Sequence, residues 1–192
     1  MTNMMLKEIP QYATLAIMHL FNWMVRSSVF PSEFKVSRIL PLKKKDKPSS
    51  ALDSFRPVNN MNPIEKILEQ LMKDQLDKFF KDKEIIPPYH HGSRRGHSTI
   101  TATQVIQNTL SNNQDRNLFS SVLMTDLGSA LDSVDHHLLS EKLCHVGVRG
   151  KSGALLKSFL SERRVFTEIQ GYTSNMKTLG NKSVVQGSRL AS

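Results

Sequence analysis

The sequence predicts an α+β fold. Apolar residues recur at helical spacing in several segments, other short stretches read as strands, and the two kinds of element follow no regular βαβ alternation. No internal repeat is present. With 192 residues, 39% of them hydrophobic, the chain is long enough to bury a core.

Residues 5–27 are expected to form the first helix. Leu6, Ile9, Leu15, Met18 and Phe21 or Asn22 share a face, Pro10 lies near the start, and Phe30-Pro31 ends the segment. Val36 to Leu42 is read as a short strand broken by Pro41. The polar run Lys43 to Ser50 is read as a loop or hairpin tip, and Phe55 to Val58 as extended. Pro63 to Lys83 is the clearest helix. Ile64, Ile67, Leu68, Leu71, Met72, Leu76, Phe79 and Phe80 form its apolar stripe, Asn62 is the candidate cap, and Pro63 fits the first helical position. Pro87 to Gly96 follows as a loop and Ser98 to Leu110 as a helix. Leu118 to Thr125 is expected to be a buried strand ending at Asp126. Ser133 is expected to cap a helix through Leu143, Gly147 to Gly150 to turn, and Ser152 to Leu160 to be helical. Val165 to Ile169 alternates as a strand, and Gly171 starts a turn.

Composition narrows the function classes. The formal charge of +9 favours a polyanionic partner, because lysine and arginine that contact phosphates release counterions. Aromatic residues, at 7%, offer few stacking platforms. One cysteine, Cys144, excludes a disulfide framework and every multi-cysteine zinc site, and fits a reducing, intracellular setting in cytoplasm or nucleus. The most apolar stretch, Tyr12 to Val25, holds His19 and Asn22 and is too short to span a bilayer. It lacks the small-residue cleavage site of a signal peptide. His136, His137, Cys144 and His145 match no common zinc spacing. Gly150-Lys151-Ser152 fails as a phosphate-binding loop, because His145 stands where the motif needs glycine. Asn181-Lys182-Ser183 is a chance glycosylation triplet without a secretory signal.

Asp126 is the first chemical candidate. A carboxylate ending an apolar strand stands at a sheet rim, where a hard oxygen suits Mg²⁺. The segment Val122 to His136, with Asp126 at its centre, resembles the first catalytic motif of reverse transcriptases from non-LTR retrotransposons. Phe30-Pro31-Ser32-Glu33-Phe34-Lys35 and Leu40 to Asp46 are similar to the start of the family's fingers. Phe55-Arg56-Pro57-Val58 with Ile64 to Glu69 is similar to its second fingers motif. His91 to Thr99 is similar to its glycine-arginine loop, and Gln186-Gly187-Ser188 to the core of the motif that follows the first catalytic strand. The blocks keep the family's order over roughly residues 5–192.

The resemblance implies fingers over residues 1–110 and a partial palm over 111–192. It implies RNA-templated DNA synthesis, in which two Mg²⁺ ions steady the attacking and leaving oxygens. Asp126 would bridge the metals, and the Leu127 carbonyl would face the second ion. Lys44 and Arg56 would grip the incoming dNTP triphosphate, with arginine as a fork and lysine as a point charge. Leu131, Gln186 and Gly187 would border the nucleotide, and Arg94 and Arg95 the template. The partners implied are an RNA template, a DNA primer and a dNTP.

The departures from the family pattern are specific. Leu131 replaces the aromatic residue that excludes a ribose 2′-hydroxyl. Gly128 replaces a usual serine and Phe34 a usual tryptophan. Ser183 and Val185 replace the glycine and proline of the family's Gly-Val-Pro-Gln-Gly-Ser, which strains the backbone at 183 if it needs positive φ. No Asp-Asp dipeptide, the core of the family's second catalytic motif, occurs in the sequence. One carboxylate does not hold two divalent ions against their repulsion, and Asp132 and Asp135 are not the family's metal pair. The expectation is a chain truncated before that motif and inactive by itself. The alternatives are a non-catalytic nucleic-acid-binding module, a decayed relic of such an element, or a chain left unstable by an unpaired palm strand.

Overall fold

A computed structural model describes residues 8–45, 48, 51, 54–128 and 130–190. The fold is α+β, with a mixed sheet and helices that follow no regular alternation with the strands. It divides into two compact units. The first comprises residues 1–74 and 129–192, the second residues 75–128.

In the first unit, helix α1 (Gln11–Ser27) ends where Ser28 adopts a left-handed conformation and Val29 N–H bonds the Met24 carbonyl. Of the expected helix over 5–27, residues 5–7 lie outside the described residues, and Glu8 to Pro10 precede the helix, with Pro10 at its N-cap. A 3₁₀ turn (Ser32–Lys35) leads into strand β1 (Val36–Lys43). Strand β2 (Phe55–Asn60) pairs with β1 antiparallel, from Arg38 opposite Asn60 to Lys43 opposite Phe55. Pro41 does not break β1, because it faces Pro57. Lys44 N–H bonds the Ser54 carbonyl at 2.8 Å, which fixes the phase of the ladder. Even-numbered β1 residues then form the hydrogen-bonded pairs, and the two prolines meet at a pair that needs no N–H from either.

Helix α2 (Pro63–Asp82) opens with Asn62 Oδ1 accepting from Ile64 N–H at 3.0 Å. It begins in the first unit and runs into the second. Helix α3 (Thr99–Asp115) belongs to the second unit. Helix α4 (His136–His145) is capped by Asp135, whose Oδ1 accepts from His137 and Leu138 N–H. Ser133, the expected cap, instead closes a turn on the Ala130 carbonyl. Helix α5 (Gly150–Leu160) precedes strand β3 (Arg164–Ile169), which pairs parallel to β1 over Val36–Ile39. Strands β4 (Tyr172–Thr173) and β5 (Lys177–Thr178) pair antiparallel with β3. Gln170 and Gly171, both at positive φ, make the two-residue turn between β3 and β4.

The core lies in this unit. Phe21 and Met24 of α1, Phe30, Leu68 of α2, and Leu155, Phe159 and Leu160 of α5 form one buried cluster. The Phe30 ring meets Phe159 edge-on at 5.1 Å and Phe34 at 6.2 Å. Phe30 N–H bonds Ser158 Oγ at 2.9 Å, so the chain after α1 is fixed to α5 by both packing and hydrogen bonding. The expected stripe on α2 is only partly inward. Leu68 is buried, whereas Ile67 and Leu71 are exposed and Glu65 and Glu69 are fully buried. The stripe is displaced because Arg163, just after α5, supplies a buried cation that draws a carboxylate inward.

In the second unit, Ser98 and Thr101 form a capping box at the start of α3. Val105, Ile106 and Leu110 of α3 and Phe119 and Leu123 line an open apolar groove. Leu118 to Thr125 is not a buried strand. It has no regular secondary structure, and Phe119, Leu123 and Met124 are largely exposed. Among the described residues it pairs with no strand, and an extended segment becomes a strand only by pairing.

Candidate functional site

Most of the residues expected to meet a nucleotide lie in the first unit. Lys44, half-buried, continues the β1–β2 ladder opposite Ser54, and Arg56 opposes Leu42. Paired residues and residues two apart share a face of a ladder, so Lys44 and Arg56 lie on the same face.

The outer edge of β2 carries the next contact. Asn59 opposes Ile39 at a non-hydrogen-bonded pair, so its N–H points away from β1. There Asn59 N–H and Nδ2–H donate to the Gln186 carbonyl at 3.0 and 3.3 Å. Gly187 follows at φ +107°, and a Cβ on it would stand 3.1 Å from the Asn59 carbonyl oxygen. Glycine is therefore required both for backbone angle and for close approach.

Leu131 joins the same group from the chain before α4. Its carbonyl accepts from Val184 N–H at 2.9 Å, Val134 accepts from Ser183 N–H at 2.9 Å, and the Ser183 carbonyl accepts from His136 Nε2 at 2.7 Å. Ser183 stands at φ +85°. The strain foreseen where the family carries glycine is present in the backbone. Residues 131–136 thus hold 181–184, and β2 holds 186–187.

Behind this surface lies a buried polar cluster that the sequence reading missed. Arg163 Nη2 donates to Glu65 Oε1 at 2.6 Å and Nη1 to the Phe159 carbonyl at 3.0 Å, with the guanidinium 4.7 Å above the Phe159 ring. Glu69, one turn beyond Glu65, accepts from Ser188 Oγ at 3.0 Å and Arg189 N–H at 2.7 Å, both at Oε2. Burial raises both carboxyls, Glu65 to about 7, against the opposing pull of Arg163. The available signal was the pair of glutamates adjoining Ile64 and Leu68 at i,i+4 spacing, beside an apolar stripe.

Asp126, Leu127, Arg94 and Arg95 lie in the second unit. Asp126 and Leu127 are exposed in the irregular segment. Arg94 Nη1 donates to the Pro87 carbonyl at 3.2 Å, and Arg95 is exposed in a turn closed by His97 N–H on the Arg94 carbonyl. Among the described residues no group of three or more His, Cys, Asp or Glu is placed to hold a metal ion. Asp126 provides one carboxylate, which does not make a two-ion site.

The first unit thus joins a buried core, a mixed sheet with a basic hairpin, and a Gln-Gly segment docked on the edge of β2. A family model described as reverse transcriptase (RNA-dependent DNA polymerase) matches residues 42–192, and the chain belongs to that family. It is 28% identical to a probable RNA-directed DNA polymerase from transposon BS and 29% identical to a probable RNA-directed DNA polymerase from transposon X-element. It is 26% identical to the RNA-directed DNA polymerase from mobile element jockey. All three are from Drosophila melanogaster, and each alignment covers 98% of this chain and 20% of the relative. The chain thus spans about one fifth of the length of these curated relatives. No described helix is long and apolar enough to cross a membrane, and Cys144 is a free, exposed thiol.

Proposed function

We propose that this chain supplies the nucleotide-gripping and template-holding part of an RNA-templated DNA polymerase of the non-LTR retrotransposon type. Its fingers span residues 1–110 and its partial palm 111–192. Lys44 and Arg56 bind the triphosphate of the incoming dNTP, and Leu131, Gln186 and Gly187 border its sugar and base. Arg94 and Arg95 bind the template backbone. Asp126 serves as one Mg²⁺ ligand, with the Leu127 carbonyl beside the second ion. Work on an RNA template places the protein in cytoplasm or nucleus.

The observation that carries the reading is the docking of Gln186–Gly187 on the edge of the strand that bears Arg56, with Leu131 tied to the same segment. These 192 residues bring one matching carboxylate and no Asp-Asp pair, too few acidic ligands to seat two ions against their repulsion. The test is radiolabelled dTTP binding in the presence of an RNA template, a DNA primer and Mg²⁺. Arg56→Ala and Lys44→Ala should each weaken binding about tenfold, as loss of a charge-assisted phosphate contact implies. The purified chain should not extend the primer. Robust extension, abolished by Asp126→Asn, would overturn the inactivity of the isolated chain; dTTP binding indifferent to Arg56 would overturn the site.

The exposure of Asp126 in an unpaired segment favours one second reading, a nucleic-acid-binding module without catalysis. It requires RNA affinity that falls steeply with salt and no dTTP binding.

A further inference from the structure

We infer that Glu69 is the positioning residue of the Gln186–Gly187 segment. It acts as a buried hydrogen-bond acceptor that fixes the side of the segment opposite β2; its link to the nucleotide rests on the function proposed above. The segment is held from two directions. On one side Asn59 donates twice to the Gln186 carbonyl. On the other, a single oxygen, Glu69 Oε2, receives Ser188 Oγ–H at 3.0 Å and Arg189 N–H at 2.7 Å. Ser188 Oγ in turn accepts from Leu190 N–H at 3.1 Å, which closes a tight turn directly after Gly187. Gly187, at φ +107° and without a side chain, has no packing of its own to resist rotation. Its orientation is therefore set by its two neighbours, Gln186 bonded to a strand and Ser188 bonded to a helix.

Glu69 is suited to this task by its own fixation. It is fully buried and lies one turn from Glu65, which is locked to Arg163. Its α2 neighbour Leu68 sits in the core cluster. The segment that would border the nucleotide is thus referenced to the core through one carboxylate oxygen. Glu69 Oε1 has no hydrogen-bond partner among the described residues. One acceptor oxygen suffices, and glutamine offers one.

That point gives the test its discrimination. Glu69→Gln keeps an acceptor at the same place and removes the charge, whereas Glu69→Ala removes the acceptor. Ser188→Ala deletes one of the two bonds without altering α2, and so reads the same contact if Glu69→Ala fails to fold. Hydrogen exchange of backbone amides 186–190 and radiolabelled dTTP affinity, with RNA template, DNA primer and Mg²⁺, are measured on the full chain. Glu69→Ala and Ser188→Ala should raise exchange across 186–190 and weaken dTTP binding, each by about tenfold, the scale of one lost hydrogen bond. Glu69→Gln should stay within roughly twofold of the parent in both, as a retained acceptor implies. Unchanged exchange in Ser188→Ala, or a Glu69→Gln variant as impaired as Glu69→Ala, overturns the inference. If the parent chain binds no dTTP while exchange follows the expected order, the positioning of the segment stands and the polymerase reading falls.

Discussion

Replacing Arg163 by methionine tests the buried cluster most directly. The guanidinium is 2% exposed, lies 2.6 Å from a Glu65 carboxylate that is fully buried, and covers the Phe159 ring. Methionine keeps contact with the ring but leaves Glu65 without its cation. Breaking a buried pair in this way costs about 3–5 kcal/mol. Glu65 is already raised from 4.5 to about 7 by burial, with Arg163 pulling it down. In the parent chain the folded state therefore holds a proton that the unfolded state releases between about pH 4.5 and pH 7. Stability falls as pH climbs through that window and is level above it. The fall amounts to about 3 kcal/mol, since each unit of displacement is worth about 1.4 kcal/mol. Removing Arg163 raises the folded value further, so the fall extends to higher pH. The variant's deficit should be smaller at pH 5, where Glu65 is neutral, than at pH 8, where it must ionise or hold an unfavourable proton. Urea unfolding followed by circular dichroism at both pH values measures this. Glu65→Gln in the Arg163→Met background should recover part of the loss at pH 8. A deficit below about 1 kcal/mol, the range of an exposed pair, or one independent of pH, would refute the cluster as described.

Three further outcomes follow from the segment around Gly187. Ser183→Gly should stabilise the chain by about 1 kcal/mol in the same urea assay, because it removes the left-handed strain at φ +85° while both backbone bonds at 183 survive. Gly187→Ala should destabilise it by about 2 kcal/mol, since the new Cβ meets the Asn59 carbonyl at 3.1 Å in a conformation side chains rarely adopt; dTTP affinity should fall with it. Leu131→Phe should raise the preference for dTTP over UTP about tenfold in competition binding, the scale on which a pocket rejects an added group.

How much of this was legible in the sequence depends on the range of the interaction involved. Helices α1, α2, α3 and α5 and strands β1 to β3 were readable because periodicity, proline placement and turn residues act locally. Motif resemblance singled out Leu131, Gln186 and Gly187, and the structure ties Leu131 to the segment that carries the other two through Val184 N–H. What failed was decided by partners distant in sequence. Leu118 to Thr125 has the apolar content of a strand, yet content does not supply a ladder partner. Ser133 and Asp135 both have capping side chains; Asp135 takes the cap where His136 N–H is bound by the Asn181 carbonyl, a contact from the far end of the chain.

Glu65 and Glu69 show the same limit in its strongest form. On a helical wheel they border the apolar stripe and read as its polar margin. They turn inward because two donors arrive from other parts of the chain, Arg163 after α5 and Ser188 after Gly187. A buried carboxylate without such donors is too costly to persist. Inward glutamates on α2 therefore require that α5 and the 186–190 segment be docked, and docking those elements fixes the edge of β2. The fold's polar interior and its candidate nucleotide surface form together, so a substitution on the hidden face of α2 should register at Gly187, where the sequence gives no sign of a connection.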